Sequence, residues 1–143
     1  MKAVILAAGR GVRMMPLTEN TPKPLLKVNS RALIDYTIDL LPKEVSEIIV
    51  IVNYLGDQIT NYLTKNYPSL KFKFIWQKDL SGTYKAVELA KQYLQGEKFL
   101  VLFSDDLHSK SAVAKLAKYD LGIVVAEAEH PERFGVVNLK KNN

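Results

Sequence analysis

The sequence predicts an α/β fold: a Rossmann-like, mostly parallel sheet with helices on both faces. Short apolar runs alternate with amphipathic helical patterns, an alternation typical of parallel sheets covered by helices. Of the 143 residues, 48% are hydrophobic, which suits a chain that buries a core of its own. We therefore expect residues 1–143 to form a single domain.

The apolar runs predict six strands, and apolar residues at helical spacing predict four helices. The strands are expected near residues 3–7, 47–52, 71–76, 99–103, 121–126 and 135–139. The helices are expected near residues 32–41, 57–66, 82–95 and 112–118. Asn29 or Ser30 is expected to cap the first helix, because both side chains accept hydrogen bonds from free backbone N–H groups.

Composition and charge limit the classes of function. The chain has no cysteine, which excludes disulfides and thiolate chemistry. Its net charge is +5, but the lysines are scattered and no aromatic nucleic-acid motif accompanies them, so a nucleic-acid partner is not expected. No run approaches membrane-spanning length and the first apolar run lacks the features of a signal peptide, so we expect no membrane partner and a cytoplasmic location.

A glycine loop follows the first predicted strand. Gly9 and Gly11 lack a Cβ, so the backbone can turn sharply and direct N–H groups at an anion. Arg13 adds a planar fork of donors suited to phosphate oxygens, and Lys23 adds a compact positive charge. Pro22 and Pro24 flank Lys23 and favour an extended backbone there. The segment therefore predicts a phosphate-binding site.

Two better-known glycine motifs do not match this loop. A P-loop requires four residues between its glycines, followed by Gly-Lys-Ser or Gly-Lys-Thr. A dinucleotide-binding fingerprint requires a third glycine or alanine at the start of the helix, and Met14 stands there. The phosphate site is therefore of another kind.

Residues 3–18 (Ala-Val-Ile-Leu-Ala-Ala-Gly-Arg-Gly-Val-Arg-Met-Met-Pro-Leu-Thr) and 22–28 (Pro-Lys-Pro-Leu-Leu-Lys-Val) resemble the N-terminal signature of the sugar-phosphate nucleotidylyltransferases. These enzymes are also called NDP-sugar pyrophosphorylases and include glucose-1-phosphate thymidylyltransferases. The likeness continues through residues 33–36, through Gln77 and Gly82-Thr83, and into residues 134–137. The resemblance implies transfer of a nucleoside monophosphate from an NTP to a sugar 1-phosphate, with Mg²⁺ as cofactor and release of pyrophosphate.

The resemblance also implies roles for particular residues. Arg13, Lys23 and Asp105 match catalytic positions, with Asp105 at the family's metal-binding aspartate. Gly135 matches the sugar-phosphate-binding segment. Nucleotide binding is implied for Leu6, Ala8, Gly9, Gly11, Gln77 and Gly82. From the residues alone, other interpretations stay open: Asp105 and Asp106 could be turn residues that cap the next helix, and Gln77 could be a surface residue in a loop.

The resemblance is incomplete at the end of the chain. Full-length relatives continue beyond Asn143, with a Glu-Lys-Pro segment that contacts the sugar phosphate and a second metal-binding aspartate. Two hypotheses therefore remain. The chain is a short or truncated nucleotidyltransferase that a partner chain completes, or it is a noncatalytic nucleotide-binding or regulatory module of the same fold. A homo-oligomer is a separate possibility, because an exposed sheet edge can promote self-association.

Overall fold

The computed structural model describes residues 1–79 and 82–137, and it has the α/β architecture that the sequence predicts. A four-stranded parallel sheet has the order β5-β4-β1-β6, and a two-stranded hairpin is formed by β2 and β3. The strands are β1 Lys2–Ala7, β2 Lys27–Val28, β3 Arg31–Ala32, β4 Glu47–Val52, β5 Phe72–Trp76 and β6 Phe99–Phe103. The helices are α1 Leu33–Asp39, α2 Gly56–Asn66, α3 Thr83–Leu94 and α4 Lys110–Leu116.

Strand β1 lies at the centre of the sheet. It pairs with β4 from Lys2↔Glu47 to Ala7↔Val52. On its other edge it pairs with β6, from Lys2↔Phe99 to Leu6↔Phe103. Its side chains from Ala3 onward are buried on both faces of the sheet, as expected for a central parallel strand covered by helices.

The helices cover the two faces unequally. Helices α1 and α2 pack on the face that presents Ile5 and Val50, and α4 packs on the same face through Val113. On the opposite face α3 packs on Val4 and Ile49. Helix α3 covers β1 and β4 but leaves the apolar side chains of β6 on that face partly exposed.

The order of the strands places a topological switch point between β1 and β6. From β1 the chain moves outward to β4 and β5, and it then returns to the other side of β1 to form β6. In open parallel sheets, ligands bind in the crevice at the carboxyl ends of the strands beside such a switch point. The loops after β1 and β6 are therefore where the fold favours a site.

Two sequence predictions at the end of the chain are wrong where the structure describes them. Residues 121–126 form no strand, and neither do residues 135–137; residues 138 and 139 lie outside the described residues. The apolar pattern of 121–126 is that of a strand, but no described strand pairs with this segment, and Leu121 is 95% exposed. Without a pairing partner the pattern alone does not form a strand.

The predicted cap of α1 is also wrong. Asn29 and Ser30 have positive φ angles of 50° and 64° and form the tight turn between β2 and β3. The N-cap position of α1 is Ala32, whose N–H donates to the Asp35 carboxylate at 3.1 Å. Within the described part of the chain, no helix has the length and apolar character needed to cross a membrane.

Asp35 is a buried carboxylate that joins α1 to α2 and the turn after it. In addition to the Ala32 N–H, it accepts hydrogen bonds from the hydroxyls of Tyr62 at 2.8 Å and Tyr67 at 2.9 Å. Burial, together with hydrogen bonding to this carboxylate, raises the pKa of Tyr62 to about 12. Both tyrosines therefore stay protonated and keep donating at neutral pH.

Asp35→Ala should lower the free energy of unfolding by on the order of 2–3 kcal/mol, because it leaves buried donors without their acceptor. Urea denaturation followed by circular dichroism measures this change. Asp39→Ala is the matched control, since Asp39 is on the same helix but forms an exposed pair with Arg31. Equal effects of the two substitutions would contradict a structural role for the Asp35 carboxylate.

Glu47 supplies a second test, based on pH. Burial acts to raise its pKa, but hydrogen bonds from Lys71 and Lys2 outweigh that effect, so its pKa is lowered from the ordinary 4.5. A lowered carboxyl pKa adds stability above the unfolded-state pKa, and that stability is lost as the pH falls through the folded-state pKa.

We therefore expect the free energy of unfolding of the native chain to fall below about pH 4.5 more steeply than that of Glu47→Gln. Urea denaturation between pH 3 and pH 7 measures both curves. Glu44→Gln, at an exposed carboxylate before the same strand, is the control and should follow the native curve. Parallel curves for Glu47→Gln and the native chain would refute this assignment.

Candidate active site

A cavity of about 640 Å³ lies at the carboxyl ends of β1 and β6 and extends to the start of α3. This volume is within the range typical of small-molecule sites. The cavity lies beside the switch point of the sheet. Its lining comprises Leu6, Ala8, Gly9, Arg10, Gly11, Val12, Arg13, Met14, Lys23, Pro24, Gln77, Gly82, Thr83, Ala86, Phe103, Ser104 and Asp105.

The glycine loop is supported from below by Thr18. Gly11 has a left-handed conformation with φ 65°, and its carbonyl accepts a hydrogen bond from the buried Thr18 hydroxyl at 2.8 Å. A Cβ on Gly11 would lie 3.0 Å from the Thr18 methyl and 3.3 Å from the Lys23 Cβ. Both the left-handed φ and the lack of space therefore require glycine at this position.

Lys23 is positioned by a short turn and not by an extended segment. Pro22 is extended with ψ 143°, but Lys23 begins a 3-10 turn, Lys23–Leu25. The Leu25 N–H donates to the Pro22 carbonyl at 2.8 Å and closes this turn. The extended backbone predicted for Lys23 from the following proline is therefore wrong, although its ammonium group does reach the cavity.

Asp105 enters the cavity from the end of β6. The Ser104 N–H donates to the Leu6 carbonyl at 3.2 Å, which extends the β1–β6 pairing by one residue. The Asp105 carboxylate then pairs with the Lys23 ammonium group. Both side chains are partly exposed, so they remain accessible to a ligand.

The alternative interpretation of Asp105 and Asp106 as helix caps is wrong. The cap of α4 is Ser109, whose hydroxyl accepts from the Ala112 N–H at 3.2 Å. Asp105 is in a turn and lines the cavity, whereas Asp106 lines a separate groove beside β6. The two neighbouring carboxylates therefore belong to different surfaces.

Gln77 and Gly82 bring a third side to the cavity. Gln77 is only 4% exposed, so the alternative of a surface glutamine is wrong. Its N–H donates to the Val52 carbonyl at 2.9 Å, and its own carbonyl accepts from the Asn53 amide at 2.5 Å. Gly82 has φ 106° and immediately precedes α3, so the first turn of that helix faces the cavity through Thr83.

The cavity brings together all but one of the site residues that the sequence predicts. Gathered in one place are Leu6, Ala8, Gly9, Gly11, Arg13, Lys23, Gln77, Gly82 and Asp105. Gly135 lies outside this lining, in an exposed segment without strand structure.

Sequence reasoning missed Arg10 as a lining residue. Its guanidinium carbon lies 5.4 Å from the ring centroid of Tyr54. The Tyr54 hydroxyl in turn donates to the Glu19 carbonyl at 2.6 Å. Arg10 therefore packs on a residue that is hydrogen-bonded to the segment after the glycine loop. The signal in the sequence that could have identified Arg10 is its position between Gly9 and Gly11.

The electrostatic character of the cavity suits a phosphorylated ligand. Three cationic side chains line it, those of Arg10, Arg13 and Lys23, whereas Asp105 is its one described carboxylate. The described residues hold no group of three or more histidine, aspartate or glutamate side chains that could bind a metal ion by themselves.

Comparison with known proteins agrees with this geometry. A family model described as nucleotidyl transferase matches residues 2–143. The chain belongs to this family. The bifunctional protein GlmU of Methanocaldococcus jannaschii is 38% identical over 143 residues, covering 100% of this chain. The choline-phosphate cytidylyltransferase of Streptococcus pneumoniae is 53% identical over 68 residues, covering 47% of this chain and 29% of that protein.

A solved structure gives the same fold. A Bacillus anthracis protein assigned as a glucose-1-phosphate thymidylyltransferase aligns with a TM-score of 0.83 and 26% identity, covering 99% of this chain and 61% of that one. The nucleotidyl transferase chain described here spans 34% of the length of the M. jannaschii GlmU. It thus corresponds to a part of these relatives.

Gly11→Ala should destabilise this nucleotidyl transferase chain by about 1–2 kcal/mol, because a left-handed conformation is costly for a residue with a Cβ. Urea denaturation measures the loss. Gly9→Ala is the matched control, since a Cβ on Gly9 would meet no atom within 4 Å. If Gly9→Ala were as destabilising as Gly11→Ala, the left-handed conformation of Gly11 would not be the cause.

Proposed function

We propose that this chain catalyses nucleotidyl transfer: an NTP donates its nucleoside monophosphate to a sugar 1-phosphate, and pyrophosphate is released. The observation that carries the proposal is the meeting of Lys23 and Asp105 in a cation-lined cavity at the switch point. Membership of the nucleotidyl transferase family and the 38% identity to GlmU support it. Two expectations remain predictions: that residues 1–143 form one domain, and that the chain acts in the cytoplasm.

The transfer is an in-line displacement at the α-phosphorus, in which the sugar phosphate is already a nucleophile. The site must therefore align two anions and stabilise the leaving pyrophosphate more than it must supply a base. Backbone N–H groups of the loop around Gly9 and Gly11 would hold the triphosphate. Arg13 would bind the outer oxygens of the triphosphate. Lys23 would bind the two phosphates between which the bond breaks.

The residues present fit Mg²⁺ in a particular way. Mg²⁺ is commonly held by one or two carboxylates together with substrate phosphates and water, and Asp105 supplies one carboxylate. When bound, Mg²⁺ would neutralise negative charge on the phosphates. Because Lys23 pairs with Asp105, holding Mg²⁺ on that carboxylate would require the Lys23 ammonium to turn from it toward the phosphates.

Gln77 and Gly82 border the part of the cavity farthest along the sheet from Asp105. Gln77 carries both a donor and an acceptor, so we assign it to the edge of the nucleobase, with Gly82 allowing the backbone to approach the base. Leu6 and Ala8 would form the floor under the nucleotide. The proposed contact of Gly135 with the sugar phosphate stays a prediction.

Phosphocholine is a second candidate acceptor. The 53% identity over 68 residues to the S. pneumoniae choline-phosphate cytidylyltransferase favours it for the part of the chain that this match covers. A solved CTP:phosphocholine cytidylyltransferase from that organism also aligns, with a TM-score of 0.62 and 38% identity over 74% of this chain. Both acceptors carry a phosphate nucleophile, so the same attack at the α-phosphorus applies.

Lys23→Ala should lower acceptor-dependent pyrophosphate release by about 10²- to 10³-fold, as expected when one group that stabilises transition-state charge is removed. The assay pairs each common NTP with Mg²⁺ and either a panel of sugar 1-phosphates or phosphocholine. Lys27→Ala, at an exposed lysine four residues away, is the control and should keep full activity. Equal activity of Lys23→Ala and Lys27→Ala would exclude the proposed role of Lys23.

Asp105→Asn should abolish the gain in NTP affinity that Mg²⁺ produces, because the amide removes the one described carboxylate of the cavity. Calorimetric titration of NTP with and without Mg²⁺ measures this gain. Asp106→Asn is the matched control, because it makes the same change at a side chain that lines the separate groove beside β6. Its NTP affinity should respond to Mg²⁺ as that of the native chain does. Metal-independent NTP binding by the native chain, without pyrophosphate release, would identify a noncatalytic nucleotide-binding module.

A further inference from the structure

The loop between β4 and α2 lies beside the cavity without lining it. Residues 53–55 form this loop, and none of them is among the residues that line the cavity. The Asn53 amide nevertheless donates to the Gln77 carbonyl at 2.5 Å, and the Tyr54 ring packs against the Arg10 guanidinium. Both Gln77 and Arg10 are lining residues. The loop therefore supports two parts of the cavity from outside it.

Tyr54 is itself held in place by its hydroxyl and by the backbone that follows it. The hydroxyl donates to the Glu19 carbonyl at 2.6 Å. The next residue, Leu55, has a left-handed conformation with φ 50°, and such a conformation persists where the surrounding structure fixes it. Gly56 then packs so closely that a Cβ there would lie 2.7 Å from the Trp76 ring. A fixed backbone therefore presents the Tyr54 ring to the cavity.

The Arg10 guanidinium is available to an anion. Arg10 is exposed, and it forms no salt bridge with the carboxylates of residues 1–79 and 82–137. Its guanidinium carbon lies 5.4 Å from the Tyr54 ring centroid, within the range of a cation–π contact. Contact with an aromatic face uses none of the N–H donors of a guanidinium. Those of Arg10 therefore remain available to phosphate oxygens, for which a planar fork of donors is suited.

The topology separates Arg10 from the parts of the cavity that the proposed function assigns to the nucleobase and to the reacting phosphate. Tyr54 leads into α2, whereas Gly82 leads into α3 on the opposite face of the sheet. Asp105 follows β6, which lies on the other side of β1 from β4. With the nucleobase at Gly82 and the α-phosphate at Asp105, the part of an NTP left for Arg10 is the terminal phosphate.

We propose that Arg10 binds the terminal phosphate of the nucleoside triphosphate, and that Tyr54 is the positioning residue that holds the Arg10 guanidinium there. This assignment rests on the proposed function, since it takes the nucleotide to lie in the same cavity. It adds a specificity to that function. An NDP lacks the phosphate that Arg10 binds, so the site prefers an NTP to the matching NDP.

The first test is calorimetric titration, with Mg²⁺ present, of the common NTP that the native chain binds most tightly and of the matching NDP. Arg10→Gln should lower the affinity for the NTP by about 10- to 100-fold, the loss expected when a hydrogen bond to a charged group is removed. Its affinity for the NDP should stay unchanged. Arg31→Gln is the matched control and should bind both nucleotides like the native chain.

The control is matched because Arg31 repeats the arrangement of Arg10 outside the cavity. The Arg31 guanidinium carbon lies 4.8 Å from the ring centroid of Tyr36. The Tyr36 hydroxyl donates to the Val28 carbonyl at 2.8 Å, as the Tyr54 hydroxyl does to that of Glu19. Neither Arg31 nor Tyr36 lines the cavity. A loss confined to Arg10→Gln therefore reports on the ligand and not on this type of contact.

The second test separates positioning by Tyr54 from a merely structural role. Tyr54→Leu removes the ring, so it should reduce the preference for the NTP over the NDP, whereas Tyr54→Phe keeps the ring and should retain that preference. The double variant Arg10→Gln/Tyr54→Leu should lose no more than Arg10→Gln alone, because the two residues act on one contact. Tyr36→Leu is the control and should keep the native preference. A structural role alone would lower both affinities together.

Three results would overturn the roles of Arg10 and Tyr54. These are an NTP preference that Arg10→Gln leaves unchanged, an equal loss of that preference in Arg31→Gln, and additive losses in the double variant. Pyrophosphate release by a chain whose NTP preference does not depend on Arg10 would refute these roles and leave nucleotidyl transfer standing. A chain that shows the Arg10-dependent preference but releases no pyrophosphate would support these roles and refute the transfer. Absence of NTP binding would refute both.

Discussion

The site depends on one constraint, the parallel pairing of β1 with both β4 and β6. Because β1 is central and buried on both faces, its register fixes where the glycine loop leaves the sheet. The same pairing, extended by the Ser104 N–H to the Leu6 carbonyl, fixes where Asp105 emerges. Lys23 and Asp105, which are 82 residues apart in sequence, therefore meet because of strand order rather than because of any local motif.

The glycine loop shows how local chemistry uses this framework. Thr18 is fully buried beneath the loop, and its hydroxyl holds the carbonyl of Gly11. The same glycine packs against the Cβ of Lys23, so the loop and the lysine share one support. A turn, a buried threonine and a cation that look like separate features of the sequence thus form a single packed unit, which explains why they occur together at this spacing.

The parts of the fold that the sequence predicted well are those decided by burial. The four sheet strands and four helices lie close to their expected positions, since a continuous apolar run or an amphipathic face suffices to place them. The errors arise where a partner decides the outcome. Residues 121–126 form an apolar run typical of a strand but have no described strand beside them. Ser30 is of a residue type that often caps helices, but it lies in the turn of the β2–β3 hairpin. The Asp35 carboxylate instead accepts the hydrogen bond from the backbone at the start of α1.

Some features of the candidate site could likewise be predicted from the sequence, and others could not. Arg13, Lys23 and Asp105 could be named from the sequence because each resembles a position in a family signature, and their meeting could be expected from strand order. Their direct pairing could not be predicted, because an ion pair across 82 residues depends on side-chain reach. That pairing has a consequence for binding. Lys23 and Asp105 neutralise each other, so in the proposed reaction Arg10 and Arg13 would be the positive groups that first meet the triphosphate. In the proposed reaction, Lys23 would exchange the Asp105 carboxylate for phosphate and Asp105 would hold Mg²⁺, so the charge of the ligand would be balanced by groups already in place.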